Sequence, residues 1–137
     1  MKMNLLINSI ISIVIVLVLD SIWFTFKFSL YNSIIKSIQS DNLKIKIYSA
    51  AVAYLLMFLS FYLIIYPNIQ NDKNTNNLII ALKHGAIFGF ILYGIYNFTN
   101  YAIFKNYSLK LTITDTLWGT FVYFIAVLIT IIISKRM

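Results

Sequence analysis

The chain has 137 residues, 61% of them hydrophobic and only 11% charged, with a mean hydropathy of +0.84; a water-soluble domain carries about a quarter charged residues, so too little polar surface is present to coat one. The net charge of +7 comes from ten lysines and one arginine against four aspartates, and the basic residues sit between and beside apolar runs, where they meet anionic headgroups and not nucleic acid. Cysteine is absent, which excludes disulfides, thiolate chemistry and cysteine metal sites.

The first apolar run, LLINSIISIVIVLVLDSIWFTF, gives a span at about 4–26. A secretory signal would have a shorter apolar centre and a small-residue cleavage site, so this is an uncleaved transmembrane helix. The lysine-bearing segment 27–46 follows. Its Leu30, Ile34, Ile35 and Ile38 recur at helical spacing, which predicts a short amphipathic helix on the membrane surface between spans one and two. The second span, about 47–66, is expected to stop at Pro67, which cannot continue a helix cleanly. The polar stretch PNIQNDKNTNN, 67–77, then reads as a loop. A third span covers about 78–104 and a fourth about 111–134, before the basic end Lys135-Arg136.

The expected fold is an all-α, four-span transmembrane helical bundle with short loops, one domain over 1–137, integral to a membrane. Orientation stays open. Lys2, Lys73, Lys83, Lys135 and Arg136 fall on one face, and Lys27, Lys36, Lys44, Lys46, Lys105 and Lys110 on the other, which is no bias for the positive-inside rule to act on.

Antiparallel threading gathers polar residues that are far apart in sequence. Asp20 and Trp23 lie near the end of span one; Tyr96, Asn97, Thr99 and Asn100 lie near the end of span three; Asp115 and Trp118 lie near the start of span four. All fall in one leaflet. Stripes of small and polar residues aim the bundle interior: Ser9, Ser12, Val16, Asp20 and Trp23 on span one, and Ser49, Ala53 and Ser60 on span two. Span three carries Gly85, Gly89, Tyr93, Tyr96, Asn97 and Asn100, and span four Thr112, Asp115, Gly119, Ala126 and Thr130. Membrane helices pack on such stripes because lipid already solvates Leu and Ile.

An ionisable residue inside a bilayer is costly and marks a functional site by default. A plainer reading stands beside it for each residue. Asp115 also suits the amino end of a helix, both tryptophans suit interfacial anchoring, and Gly85-x-x-x-Gly89 suits a close helix crossing with Gly119. His84, the one histidine, reads as a solvated headgroup-level side chain beside Lys83. One histidine with two aspartates makes no metal site, and no cofactor, nucleophile–base pair or nucleic-acid motif is visible.

The segments LDSIW (19–23), FSLY (28–31), Tyr66-Pro67, GAIFGFILYGIYNFTNYAIFKNYS (85–108) and DTLWGT (115–120) resemble the predicted membrane proteins of domain-of-unknown-function family 2177. That family's pattern is an L-D-x-x-W in the first helix, a G-x-x-x-G-x-x-x-Y-G-x-Y-D-x-T-N run in the third and a D-x-x-W-G in the fourth. The resemblance covers essentially the whole chain and implies that Asp20, Trp23, Tyr96, Asn97, Thr99, Asn100, Asp115, Trp118 and Gly119 are the family's polar and packing positions. Asn97 departs from the pattern, which has Asp there, and this weakens any mechanism needing three carboxylates. The family has bacterial, algal and large-virus members, and the Ile-, Asn- and Lys-rich usage suits an AT-rich genome such as a giant virus.

Three functions remain open at this level. The lipid-embedded chain could bind or move a proton, a cation or a polar headgroup through the leaflet cluster. It could be a structural component of a cellular or virion membrane, with the cluster locking helix packing. It could be a small intramembrane lipid-modifying enzyme, which requires a cavity beside Asp20 and Asp115.

Overall fold

The computed structural model describes residues 4–136 and consists of four long helices: α1 Leu5–Gln39, α2 Ile47–Gln70, α3 Asn77–Ile103 and α4 Leu109–Ser134. Each is long and apolar enough to cross a bilayer, and together they form an all-α four-span bundle. Lys2, counted above for orientation, lies outside the described residues.

Polar residues set the helix ends. Asn4 Oδ1 accepts the Ile7 N–H at 3.1 Å to start α1, Asn76 Oδ1 accepts from Leu78 and Ile79 to start α3, and Ser108 Oγ accepts from Leu111 to start α4. Each satisfies an amide that the helix leaves without a backbone partner. α1 ends at Ser40, whose left-handed backbone (φ 60°) turns its N–H back onto the Lys36 carbonyl.

Two boundaries differ from the sequence expectation. The segment 27–39 is not a separate surface helix; α1 runs through it unbroken. At 35 residues the helix is about 52 Å long against a hydrocarbon core of about 30 Å, so its last turns project beyond the lipid. The amphipathic spacing is real but serves protein packing: Ile34 is buried with Tyr107 and Leu111, and Leu30, Tyr31 and Ile38 lie against them. The second difference is Pro67, which sits inside α2 instead of ending it. The helix widens into a π-turn over Phe61–Ile65, with the Tyr66 N–H reaching the Phe61 carbonyl. A wider turn before a proline relieves the clash of its ring with the preceding turn. Asn68 and Asn71 side chains then donate to the Ile64 and Pro67 carbonyls at 2.7 and 3.0 Å. The loop shrinks to 71–76.

α4 is the central helix: 44% of its most apolar stretch is buried, against 11% for α2. Its buried face includes Thr112, Asp115, Gly119, Ala126 and Thr130, the stripe expected from spacing. α3 approaches it most closely. A Cβ on Gly85 would meet the Tyr123 carbonyl oxygen at 2.6 Å, one on Gly89 would run into the Gly119 backbone, and one on Gly119 would overlap the Tyr93 ring. Three glycines therefore set the α3–α4 separation, as small residues do in membranes. The apolar core joins Val16, Phe61, Ile65, Tyr123, Val127 and Ile131, with the Phe61 and Tyr123 rings stacked at 4.9 Å. α2 contributes its fully buried side chains to it from the second half, with Tyr54 and Met57 of the first half packed against them. Ser60 is buried, whereas Ser49 and Ala53, on the same expected stripe, are exposed.

Candidate functional site

Where α1 and α4 cross in one leaflet, their two Asp-x-x-Trp sequences exchange hydrogen bonds. Trp118 Nε1 donates to Asp20 Oδ1 at 3.1 Å, and Trp23 Nε1 donates to Asp115 Oδ1 at 2.9 Å. The indoles stack between the acids, 4.6 Å between centroids and 10° from parallel. The exchange follows from geometry: three residues forward on one helix match three residues back on an antiparallel partner, and i, i+3 side chains share a face.

Other elements add further donors to both acids. Tyr93 of α3 donates its hydroxyl to Asp20 Oδ2 at 2.8 Å. Tyr31, on the projecting part of α1, donates to Asp115 Oδ1 at 2.6 Å, and Asn97 Nδ2 donates to Asp115 Oδ2 at 2.7 Å. Asn97 is fixed in turn by the Tyr107 hydroxyl, which donates to its Oδ1 at 3.0 Å. Asp115 is 7% exposed. Among the described residues no buried side-chain nitrogen or oxygen is left without a partner, and neither acid pairs with a Lys, Arg or His. Lys27 Nζ lies over the Trp23 ring, 5.2 Å from its centroid.

Of the residues singled out from sequence, Asp20, Trp23, Asn97, Asp115 and Trp118 meet in this cluster, and Asn100 lies at its edge beside Tyr107. Tyr96 and Thr99 do not join it. Tyr96 is 61% exposed and Thr99 is also exposed, because each helical residue turns the face by about 100° and both sit off the Tyr93–Asn97 line. Sequence reasoning missed three hydroxyl donors. Tyr31 stands two helical steps beyond Trp23 on one face and was legible only if α1 ran on unbroken. Tyr93 was on the expected stripe but not among the site residues. Tyr107 comes from the linker after α3 and carried no sequence signal.

The opposite leaflet also carries buried polar side chains. Asn8 Nδ2 reaches Ser134 Oγ at 3.4 Å; Ser12 shares hydrogen bonds with Thr130, at 2.9 Å, and with the buried Tyr66 hydroxyl. The Asn8–Ser134 and Ser12–Thr130 bonds are α1–α4 contacts again, so polar links tie the two helices in both leaflets, and the Ser12–Tyr66 bond adds α2. His84 is not freely solvated either. Its Nε2 lies 2.7 Å from Asp72 Oδ2, the side chain is 12% exposed, and Lys83 Nζ reaches the same oxygen at 2.9 Å. The Asn74 N–H, then His84 and Lys83, hold the Asp72 carboxyl well below the usual carboxylate range. The 71–76 loop is thereby folded back onto the start of α3.

Two shallow surface depressions lie away from the acid cluster. One lies between α3 and α4 around Ala86, the other along Ser21, Ile22, Thr25 and Phe26 of α1. No curated protein and no solved structure matches the chain. The model of the family described as predicted membrane protein (DUF2177) matches residues 5–132, and this four-span integral membrane protein belongs to that family.

Proposed function

We propose that the protein is a structural membrane component, with the Asp20–Trp118 and Trp23–Asp115 pairs acting as a clasp that locks α1 to α4. The observation that carries this reading is the exchange itself: the hydrogen-bond partners of each acid come from within the bundle, and the indoles fill the space between the acids. Asp115 in particular is buried and receives three donors from the bundle. An enzyme acting on lipid needs a cleft at the reacting groups, whereas the indoles that bond the two acids are stacked on each other there.

A second reading, movement of a proton or a cation, is favoured by one observation: the two carboxylates are held by neutral donors alone. Proteoliposomes separate the two. On the structural reading, Asp20→Asn and Asp115→Asn lower the thermal midpoint of the purified protein, and vesicles holding wild type are no more permeable to protons or potassium than vesicles holding the variants. Wild-type flux that either substitution abolishes without loss of stability overturns the structural reading and supports transport.

A further inference from the structure

On the lipid-facing side of the α3–α4 seam runs an open groove of about 490 Å³. It is walled by Ile79, Leu82, Ile87 and Phe90 of α3, and its floor is made by the small Ala86 together with Thr120 of α4. Thr120 turns its hydroxyl onto the Thr116 carbonyl at 2.9 Å, leaving its methyl for the groove. With Lys83 and Ala86 bridging the five-residue step from Leu82 to Ile87, across a π-turn at Ala81–Ala86, the lining residues of α3 form one continuous strip. From Ile79 to Phe90 the strip is at most about 16 Å long, since the π-turn at Ala81–Ala86 rises less per residue than an α-helix, so it extends no farther than the half-thickness of a bilayer core of about 30 Å. Ile79 is the third residue of the span Asn77–Ile103, so that end of the strip lies toward the headgroup level and the Phe90 end deeper.

Lys83 stands at the headgroup end of this groove. Its side chain is 60% exposed, and the structure gives its ammonium one partner, Asp72. An ammonium has three donors, so two remain for a ligand. Asp72 does not depend on Lys83 for its hydrogen bonds, because Asn74 and His84 also donate to it.

We propose that this groove holds one acyl chain of an anionic glycerophospholipid from the leaflet that faces the 71–76 loop, with Lys83 on its phosphate. Depth, apolar lining and a single cation at the mouth match that ligand. A zwitterionic lipid would fill the same groove but would bring its own cation beside Lys83. This assignment does not depend on the role of the acid cluster, which lies elsewhere on the bundle.

Titration of the detergent-solubilised protein with phosphatidylglycerol and, separately, phosphatidylcholine tests it, with bound lipid counted by native mass spectrometry. Wild type is expected to bind one phosphatidylglycerol about fivefold more tightly than phosphatidylcholine, the factor that one basic residue contributes at a headgroup surface. Lys83→Gln, at an exposed position, should erase that preference. Asp72→Asn, which breaks the same ion pair but leaves the lysine charge, should keep it. Ala86→Leu, which fills the floor, should weaken both lipids alike; if that variant does not fold, the Lys83→Gln and Asp72→Asn pair decides. Equal binding of the two lipids by wild type, or a preference that survives Lys83→Gln, overturns the proposal.

Discussion

Replacing Gly119 by alanine probes the point at which helix packing and the acid cluster are joined. The added Cβ would overlap Cγ, Cδ1 and Cδ2 of the Tyr93 ring, and Tyr93 is the residue whose hydroxyl holds Asp20 at 2.8 Å. The ring must retreat by about 1 Å or more, which takes the hydroxyl out of hydrogen-bond range. Overpacking of this kind costs about 1–3 kcal/mol. Losing one interhelical hydrogen bond in a membrane adds about 0.6–1.7 kcal/mol, and the better helix propensity of alanine returns about 1 kcal/mol. The net expectation is a destabilisation of roughly 1–4 kcal/mol. Gly94→Ala is the internal control, because its Cβ would meet only Thr116 Cγ2, at an ordinary 3.6 Å. Equilibrium unfolding in mixed micelles, followed by tryptophan fluorescence from the stacked Trp23–Trp118 pair, reads both variants. Gly119→Ala should unfold well before wild type and Gly94→Ala should not. Equal stability of the two variants would refute the packing argument.

Asp115→Asn should cost about 1–3 kcal/mol, the penalty for leaving a buried polar group unsatisfied, since donors arrive on both carboxylate oxygens and an amide offers only one acceptor; thermal denaturation checks it, and wild-type stability would contradict it. Tyr66→Phe should be milder, about 0.5–1.5 kcal/mol, because Ser12 keeps Thr130 as a partner; a loss as large as that of Asp115→Asn would mean that the second polar layer carries more than hydrogen bonding. The Asp72 carboxyl is held below its ordinary value, so its contribution is complete above the unfolded value of about 3.9 and is lost as pH falls through the lower folded value. The stability gap between wild type and Asp72→Asn should therefore be present at pH 5 and shrink as the pH is taken toward 2. A gap that stays constant down to the acid limit would remove Asp72 as its cause.

The spans were legible because a bilayer fixes their length and excludes charge from their centres. Their ends were less so. Lys27 looks like a stop in sequence, yet a single lysine does not break a helix, and the break comes only where Ser40 takes a left-handed backbone. Pro67 looks like a terminator but is accommodated by a π-turn, which has no simple sequence mark. The acid cluster was legible in outline, since antiparallel threading places Asp20, Trp23, Asn97, Asp115 and Trp118 at one height. Its exchange pattern needed the rotation of α1 against α4, which spacing within each helix does not supply. Tyr96 shows the limit of stripe reasoning: one position from Asn97, it faces lipid. The tie from Asp72 to His84 was invisible because it joins a polar loop to a helix start, where no periodicity constrains the chain.

The central claim is that each tryptophan serves the acid on the other helix. Hydrogen exchange of the two indole N–H groups, followed by NMR in micelles on ¹⁵N-labelled protein, tests it most directly. Both should be protected in wild type, Asp20→Asn should speed chiefly the Trp118 indole, and Asp115→Asn chiefly the Trp23 indole. A reversed pattern, or two indoles that exchange freely in wild type, would contradict the clasp.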